Sequence, residues 1–254
     1  MIISRKHRFI FVHCRKAAGS SLVCSLSRYL GPADLQFSAI TDGIPLKIYP
    51  PRRVVKEALQ SMSIGDFLSV LVRKRSFWRT VSNSIKKRYA DRLGRSPAHA
   101  PAAAVAAAFP DEWRDYFKFC VVRNTWDKTL SDYFWKTKRM QNPPGLDEYV
   151  DALEDGHALR GIVPKNHQNW EMYTIHDKVA VDHVVRFEDL VSGLSQALAH
   201  TSVNWDGWLP HMKKGMGTEK DGPQRDYRGY FSGHAAQVVG SLYEKEIHEF
   251  EYKF

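Results

Sequence analysis

Two short stretches of this chain carry residue types suited to holding anions. The first is His13-Cys14-Arg15-Lys16-Ala17-Ala18-Gly19-Ser20-Ser21-Leu22. Small residues let the backbone close around an oxyanion. A helix beginning after them would aim its unpaired N–H groups and positive dipole end at the same point. Lys16 and the hydroxyls of Ser20 and Ser21 add charge and donors. The stretch is neither a Walker A loop, because its lysine precedes the glycine, nor a GxGxxG loop. The second stretch is Val121-Val122-Arg123-Asn124-Thr125-Trp126-Asp127-Lys128-Thr129-Leu130-Ser131, with an arginine followed eight residues later by a serine. Arginine offers a forked, permanently charged donor set suited to phosphate. Ser131 can share that anion if a helix starts near Thr125. Two anion sites at neighbouring strand ends suit a ligand phosphorylated at both ends.

The elements around these stretches are legible from hydrophobic spacing. Phe9 to Val12 is a short apolar run that predicts a strand, and Leu22, Leu26 and Leu30 predict a helix that Gly31-Pro32 stops. Phe117 to Val122, interrupted by Lys118, predicts a second strand. A helix capped by Asn124 or Thr125 follows, with Leu130 and Phe134, and Tyr133 as a third, turned inward. Val184-Val185 is a third apolar run, leading into Arg186-Phe187-Glu188-Asp189-Leu190. A last helix is predicted from about His234 to Phe250, with Val238, Val239, Leu242 and Phe250 on one face. Strands alternating with helices argue for an α/β fold around a parallel sheet flanked by helices. Residues 31–98 differ. Pro45, Pro50, Pro51 and Pro97 punctuate two amphipathic helical patterns, one on Ile64, Phe67, Leu68, Leu71 and Val72, the other on Trp78, Val81, Ile85 and Tyr89. They read as a helical insertion after the first βα unit of a single 1–254 domain. Ala102 to Ala108 reads as a short helix.

The two anion-binding stretches resemble the nucleotide-binding elements of sulfotransferases that use 3′-phosphoadenosine 5′-phosphosulfate (PAPS). The first is similar to the H-x-P-K-[TS]-[AG]-G-[TS]-[ST]-L pattern of the carbohydrate branch, which includes the heparan-sulfate 2-O type and bacterial relatives. The second is similar to V-R-[ND]-P-[WYF]-[DE]-[RK]-x-x-S-x-Y, with Tyr133 in place. Fainter likenesses continue at His99, Gln168-Asn169-Trp170, Val181-Asp182 before Arg186-Phe187-Glu188-Asp189-Leu190, Leu209-Pro210-His211, Asp226-Tyr227-Arg228 and Ile247 to Phe254. Arg15, Ala17 and Thr125 depart from the family pattern, which has Pro, Thr or Ser, and Pro there. The resemblance covers about residues 3–30 and 99–254.

The resemblance implies a P-loop-like sulfotransferase fold and sulfuryl transfer from PAPS to an acceptor hydroxyl by in-line displacement, releasing 3′,5′-ADP without a metal. Lys16 would sit at the bridging oxygen, where charge develops as the leaving group departs. Ala17, Ala18, Gly19, Ser20 and Ser21 would hold the 5′-phosphate. Arg123 and Ser131, with Arg228, would bind the 3′-phosphate. The acceptor needs a base, and histidine suits neutral pH. Of eleven histidines, His99 is the candidate, because related sequences carry a histidine in a short segment at this distance before the second motif. His13 reads as a buttress of the turn, and His167 and His211 as acceptor contacts. Trp126, Trp135 and Trp170 read as core, and Glu188-Asp189 as capping or bracing.

Composition narrows the setting. A chain of 254 residues with 43% hydrophobic residues can bury a core and is not a disordered polymer. No apolar run approaches the ~20 residues of a membrane span, and no signal peptide is legible. Three cysteines without a CxxC argue against a disulfide framework or zinc cage and for a reducing, cytoplasmic setting, free or at the surface of a membrane. The formal charge is +9, and it is local. Residues 47–95 hold thirteen Lys/Arg against three carboxylates, a net +10. They are expected on solvated faces, as a solubility feature or as a surface for an anionic glycan or membrane. The expected acceptor is a glycan or glycolipid. Two rivals are weaker. A phosphotransferase would need a Walker lysine and a magnesium-holding Ser/Thr and Asp. A non-enzymatic anion or nucleic-acid binder lacks any RNP, KH or zinc-finger signature here, so no nucleic acid is expected.

Overall fold

The computed structural model describes residues 1–71, 76–162, 164, 168–210 and 226–254. The chain divides into two compact units, Met1–Val122 with Glu171–Met212, and Arg123–Trp170 with Lys213–Phe254. It is an α/β protein with a five-stranded sheet flanked by helices. Among the described residues no helix is long and apolar enough to cross a membrane.

The sheet lies in the first unit. Its strands are β1 (Ile2–Ser4), β2 (Phe9–Val12), β3 (Leu35–Gln36), β4 (Phe117–Val122) and β7 (His183–Arg186), in the order β3-β1-β2-β4-β7. A separate two-stranded hairpin pairs β5 (Thr174–Ile175) with β6 (Lys178–Val179). The parallel sheet expected from the sequence is therefore mixed. β2, β4 and β7 run parallel, with Val12 opposite Cys120 and Val122 opposite Arg186, whereas β1 pairs antiparallel with β2 and β3. The physical reason is the four-residue link from Arg5 to Arg8, too short for the crossover that parallel pairing needs. Buried Asp34 fixes that link by accepting from the amides of Arg5 (2.7 Å) and Lys6 (3.1 Å).

Every residue of β2 is buried, as in strands covered on both faces. Phe119 of β4 packs against Phe9 and Phe11, with ring centroids 5.8 and 5.3 Å apart. Lys118 is nevertheless buried in β4, where its ammonium meets Asp182 at 2.8 Å and donates to the Tyr116 carbonyl.

Residues 31–98 are helical over Arg52–Ser61, Ile64–Leu71 and Phe77–Leu93. They also supply β3, which pairs Leu35 with Ile3, so the segment is built into the sheet. Val81, Ile85 and Tyr89 of the last helix are buried as the spacing predicts, and Trp78 is half-buried, while Val54 and Ala58 are buried in a helix that the spacing does not single out. The middle helix reverses the rule: Ile64, Phe67 and Leu68 face solvent. Val72 of that pattern lies outside the described residues. Ala102–Ala108 is helical.

In the second unit the Thr125–Thr137 helix is capped by Asn124, whose Oδ1 accepts from the amides of Trp126 and Asp127. Leu130 is buried as expected, with Trp126 beside it in the core, while Tyr133 and Phe134 are half-buried. The expected C-terminal helix is two, Gly233–Leu242 and Glu244–Glu249. Buried Tyr243, at φ −120° and ψ 26°, interrupts the helical path between them. Val238, Val239 and Phe250 are buried, and Leu242 is half-buried.

Candidate functional site

The loop after β2 has an unusual backbone. Lys16 and Ala18 both hold positive φ, 62° and 53°, while Ala17 between them does not. Side chains with a Cβ resist this region, and such residues cluster at functional sites. An alternation of right- and left-handed residues is the backbone pattern found in anion-binding nests. The helix then runs Gly19–Ser27, three residues earlier than the leucine spacing predicts. Its first turn is therefore Gly19-Ser20-Ser21. Ala18 stands at the cap position and no side chain caps the helix. Lys16, Ser20 and Ser21 are half-buried, and Ala17 and Gly19 are buried.

His13 explains why position 19 is glycine. A Cβ there would lie 1.7 Å from His13 Nε2. The other face of this buried ring is held through Nδ1 and Ser38 Oγ, 2.9 Å apart. His13 is thus the buttress that the sequence suggests.

His99 ends a single 3-10 turn, Pro97–His99, in the same unit. Its Nδ1 lies 2.7 Å from the His13 carbonyl oxygen, and the two imidazoles are 4.4 Å apart. A carbonyl only accepts, so Nδ1 carries the proton. In the neutral ring Nε2 is then the basic nitrogen, as a general base requires. The structure thus brings His99 to the start of the lysine loop. Arg15 is a further cation of this loop, to which the sequence pattern assigns no role. It is half-buried, burial lowers its pKa, and its Nη1 lies 3.9 Å from Met172 Sδ. Its only signal in the sequence is a charged residue where the family pattern has proline.

In the second unit Arg123 precedes the Asn124 cap. Asp127 accepts from Arg123 Nε at 2.7 Å and orients the guanidinium, whose side chain is 15% exposed. Ser131 is half-buried in the second turn of that helix. Arg228 is exposed, lies over the Tyr227 ring and is paired with Asp226 at 3.3 Å. Asn124 Nδ2 donates to the Tyr227 hydroxyl at 3.0 Å, so the cap residue ties the Arg228 turn to the start of the helix.

No family model, curated protein or solved structure matches this chain. The residues and their geometry therefore carry the functional argument.

A buried network braces the second unit. Lys128 and Glu246 form a buried ion pair at 2.5 Å, with the Lys128 ammonium 3.8 Å from the Tyr243 ring centre. Asn169 N donates to the same carboxylate. Trp126 Nε1 donates to the Ala236 carbonyl, and Trp126 and Trp170 are buried as expected, whereas Trp135 is half-buried beneath Lys138. Asp189 occupies the cap position of the Leu190–Ala199 helix without making a cap hydrogen bond. His167 and His211 lie outside the described residues. The basic segment is not wholly solvated: Lys86 is half-buried, and burial lowers its pKa.

Proposed function

We propose that the protein is a sulfotransferase that moves the sulfuryl group of PAPS to an acceptor hydroxyl, on a glycan or glycolipid, and releases 3′,5′-ADP. What carries the reading is the loop 13–21: a lysine and an alanine at positive φ, an uncapped helix start, and a histidine with a defined tautomer hydrogen-bonded to the loop's first residue.

The acceptor oxygen attacks sulfur, and the bond from sulfur to the bridging phosphate oxygen breaks. His99 Nε2 takes the acceptor proton. The Lys16 ammonium stabilises charge on the departing oxygen, which develops only as the bond breaks. The amides of residues 17–21 with Ser20 and Ser21 are assigned to the 5′-phosphate, and Arg123 and Ser131 with Arg228 to the 3′-phosphate. Asp127 is a positioning residue for Arg123.

The test is transfer from labelled PAPS to a panel of glycan and glycolipid hydroxyls. Lys16→Ala should lose turnover and keep its affinity for 3′,5′-ADP. Arg123→Ala removes charge-assisted hydrogen bonds worth roughly 1.5–3 kcal/mol, and should lose donor affinity about tenfold or more. Phosphoryl transfer from ATP with Mg²⁺, in place of sulfuryl transfer, would overturn the reading.

A further inference from the structure

The Ile64–Leu71 helix carries its apolar face outward. Ile64 is 80% exposed, Leu68 52% and Phe67 44%, and their i, i+3, i+4 spacing puts them on one side. Asp66 is turned to local duty, accepting from the amide and hydroxyl of Ser63. Large apolar side chains grouped this way in water mark a binding surface.

The preceding Arg52–Ser61 helix bears a basic cavity of about 490 Å³, lined among others by Arg52, Arg53, Lys56 and Arg88. Its one carboxylate, Glu57, is engaged. Arg53 Nε donates to it at 2.6 Å and the Tyr89 hydroxyl at 2.7 Å. Burial alone would raise the Glu57 pKa, but these bonds prevail and hold it below the usual carboxylate range. The cavity therefore keeps a net positive charge. Arg88 also donates to Ser61 Oγ at 3.1 Å, at the end of the Arg52–Ser61 helix and three residues before Ile64.

We infer that this face docks the protein on an anionic phospholipid membrane. Ile64, Phe67 and Leu68 enter the interface, while the cavity takes a lipid headgroup phosphate. An in-plane amphipathic helix beside basic side chains is the arrangement that such surfaces bind. A second copy of the chain is a poorer occupant. Three side chains offer roughly a few hundred Å², against about 800 Å² per partner in a stable interface. The inference does not rest on the sulfotransferase reading.

The test is co-sedimentation of the full chain with vesicles of phosphatidylcholine alone and with added phosphatidylglycerol. Binding should need phosphatidylglycerol and fall with salt. Arg52→Gln and Lys56→Gln together should weaken it, by about fivefold for each charge removed. Ile64→Ser, Phe67→Ser and Leu68→Ser together should abolish it and leave the melting temperature unchanged, since these side chains are exposed. A Phe67→Cys variant can carry an environment-sensitive dye, because Cys14, Cys24 and Cys120 are buried; its emission should shift to the blue on anionic vesicles only. Equal binding to both vesicle types, full binding by the triple serine variant, or an unshifted dye on bound protein would overturn the inference. So would concentration-dependent dimerisation that the serine variant removes, with no vesicle binding.

Discussion

His99 Nδ1 donates to the carbonyl oxygen of His13 at 2.7 Å, and this one bond ties a histidine 86 positions away to the start of the lysine loop. It fixes ring orientation and tautomer together. His99→Ala should reduce turnover by about 10²–10⁴ and leave 3′,5′-ADP affinity intact. The check is steady-state kinetics beside calorimetric binding. Near-normal turnover would remove His99 from the chemistry.

Gly19 and His13 form an interlocked pair. Gly19→Ala pushes a methyl to 1.7 Å from His13 Nε2 and should cost roughly 1–3 kcal/mol through overpacking. His13→Ala in the same chain should return much of that loss, so the two changes should be strongly non-additive in urea unfolding. Additive losses would mean that the loop relaxes some other way.

Part of this was legible in the sequence because it is local. The strands Phe9–Val12 and Phe117–Val122 and the helix from Thr125 follow from apolar runs, a cap residue and helical spacing. β1 and β3 are not legible there because they are three and two residues long, below any useful window. The first helix starts three residues before the leucine spacing predicts, because Gly19-Ser20-Ser21 has no apolar period to read. The solvent-facing side of Ile64, Phe67 and Leu68 is not legible for a different reason: amphipathic spacing identifies a helix but not what covers its apolar face. The roles of Lys128 and Asn169 depend on Glu246, 118 and 77 positions away, which no local pattern reveals.

The Lys128–Glu246 pair yields a stability prediction free of any functional assumption. Glu246→Ala leaves an ammonium buried without its carboxylate, and should cost roughly 3–5 kcal/mol. Lys128→Met combined with Glu246→Leu should recover most of it, since an apolar pair of similar volume needs no charge compensation. Chemical denaturation of the three variants decides the matter.

Tyr89 gives a pH signature. Its pKa is pushed up to about 12, first by burial and then by its hydrogen bond to Glu57. The folded state thus favours the neutral phenol over the value near 10 of an unfolded tyrosine. That contribution is complete below pH 10 and is lost as pH rises through 12. Tyr89→Phe should flatten this alkaline loss of stability. An identical alkaline profile in the two proteins would show that Tyr89 does not drive it.

The claim that the two motifs hold a nucleotide phosphorylated at both its 3′ and 5′ positions is tested most directly by thermal unfolding with ligands in the absence of Mg²⁺. 3′,5′-ADP should raise the melting temperature, with a stabilisation of about 2.7 kcal/mol at a hundredfold excess over its Kd. AMP, which lacks the 3′-phosphate, should do far less, and Arg123→Ala should erase most of the difference between the two. Stronger stabilisation by ATP with Mg²⁺ than by 3′,5′-ADP would contradict the account.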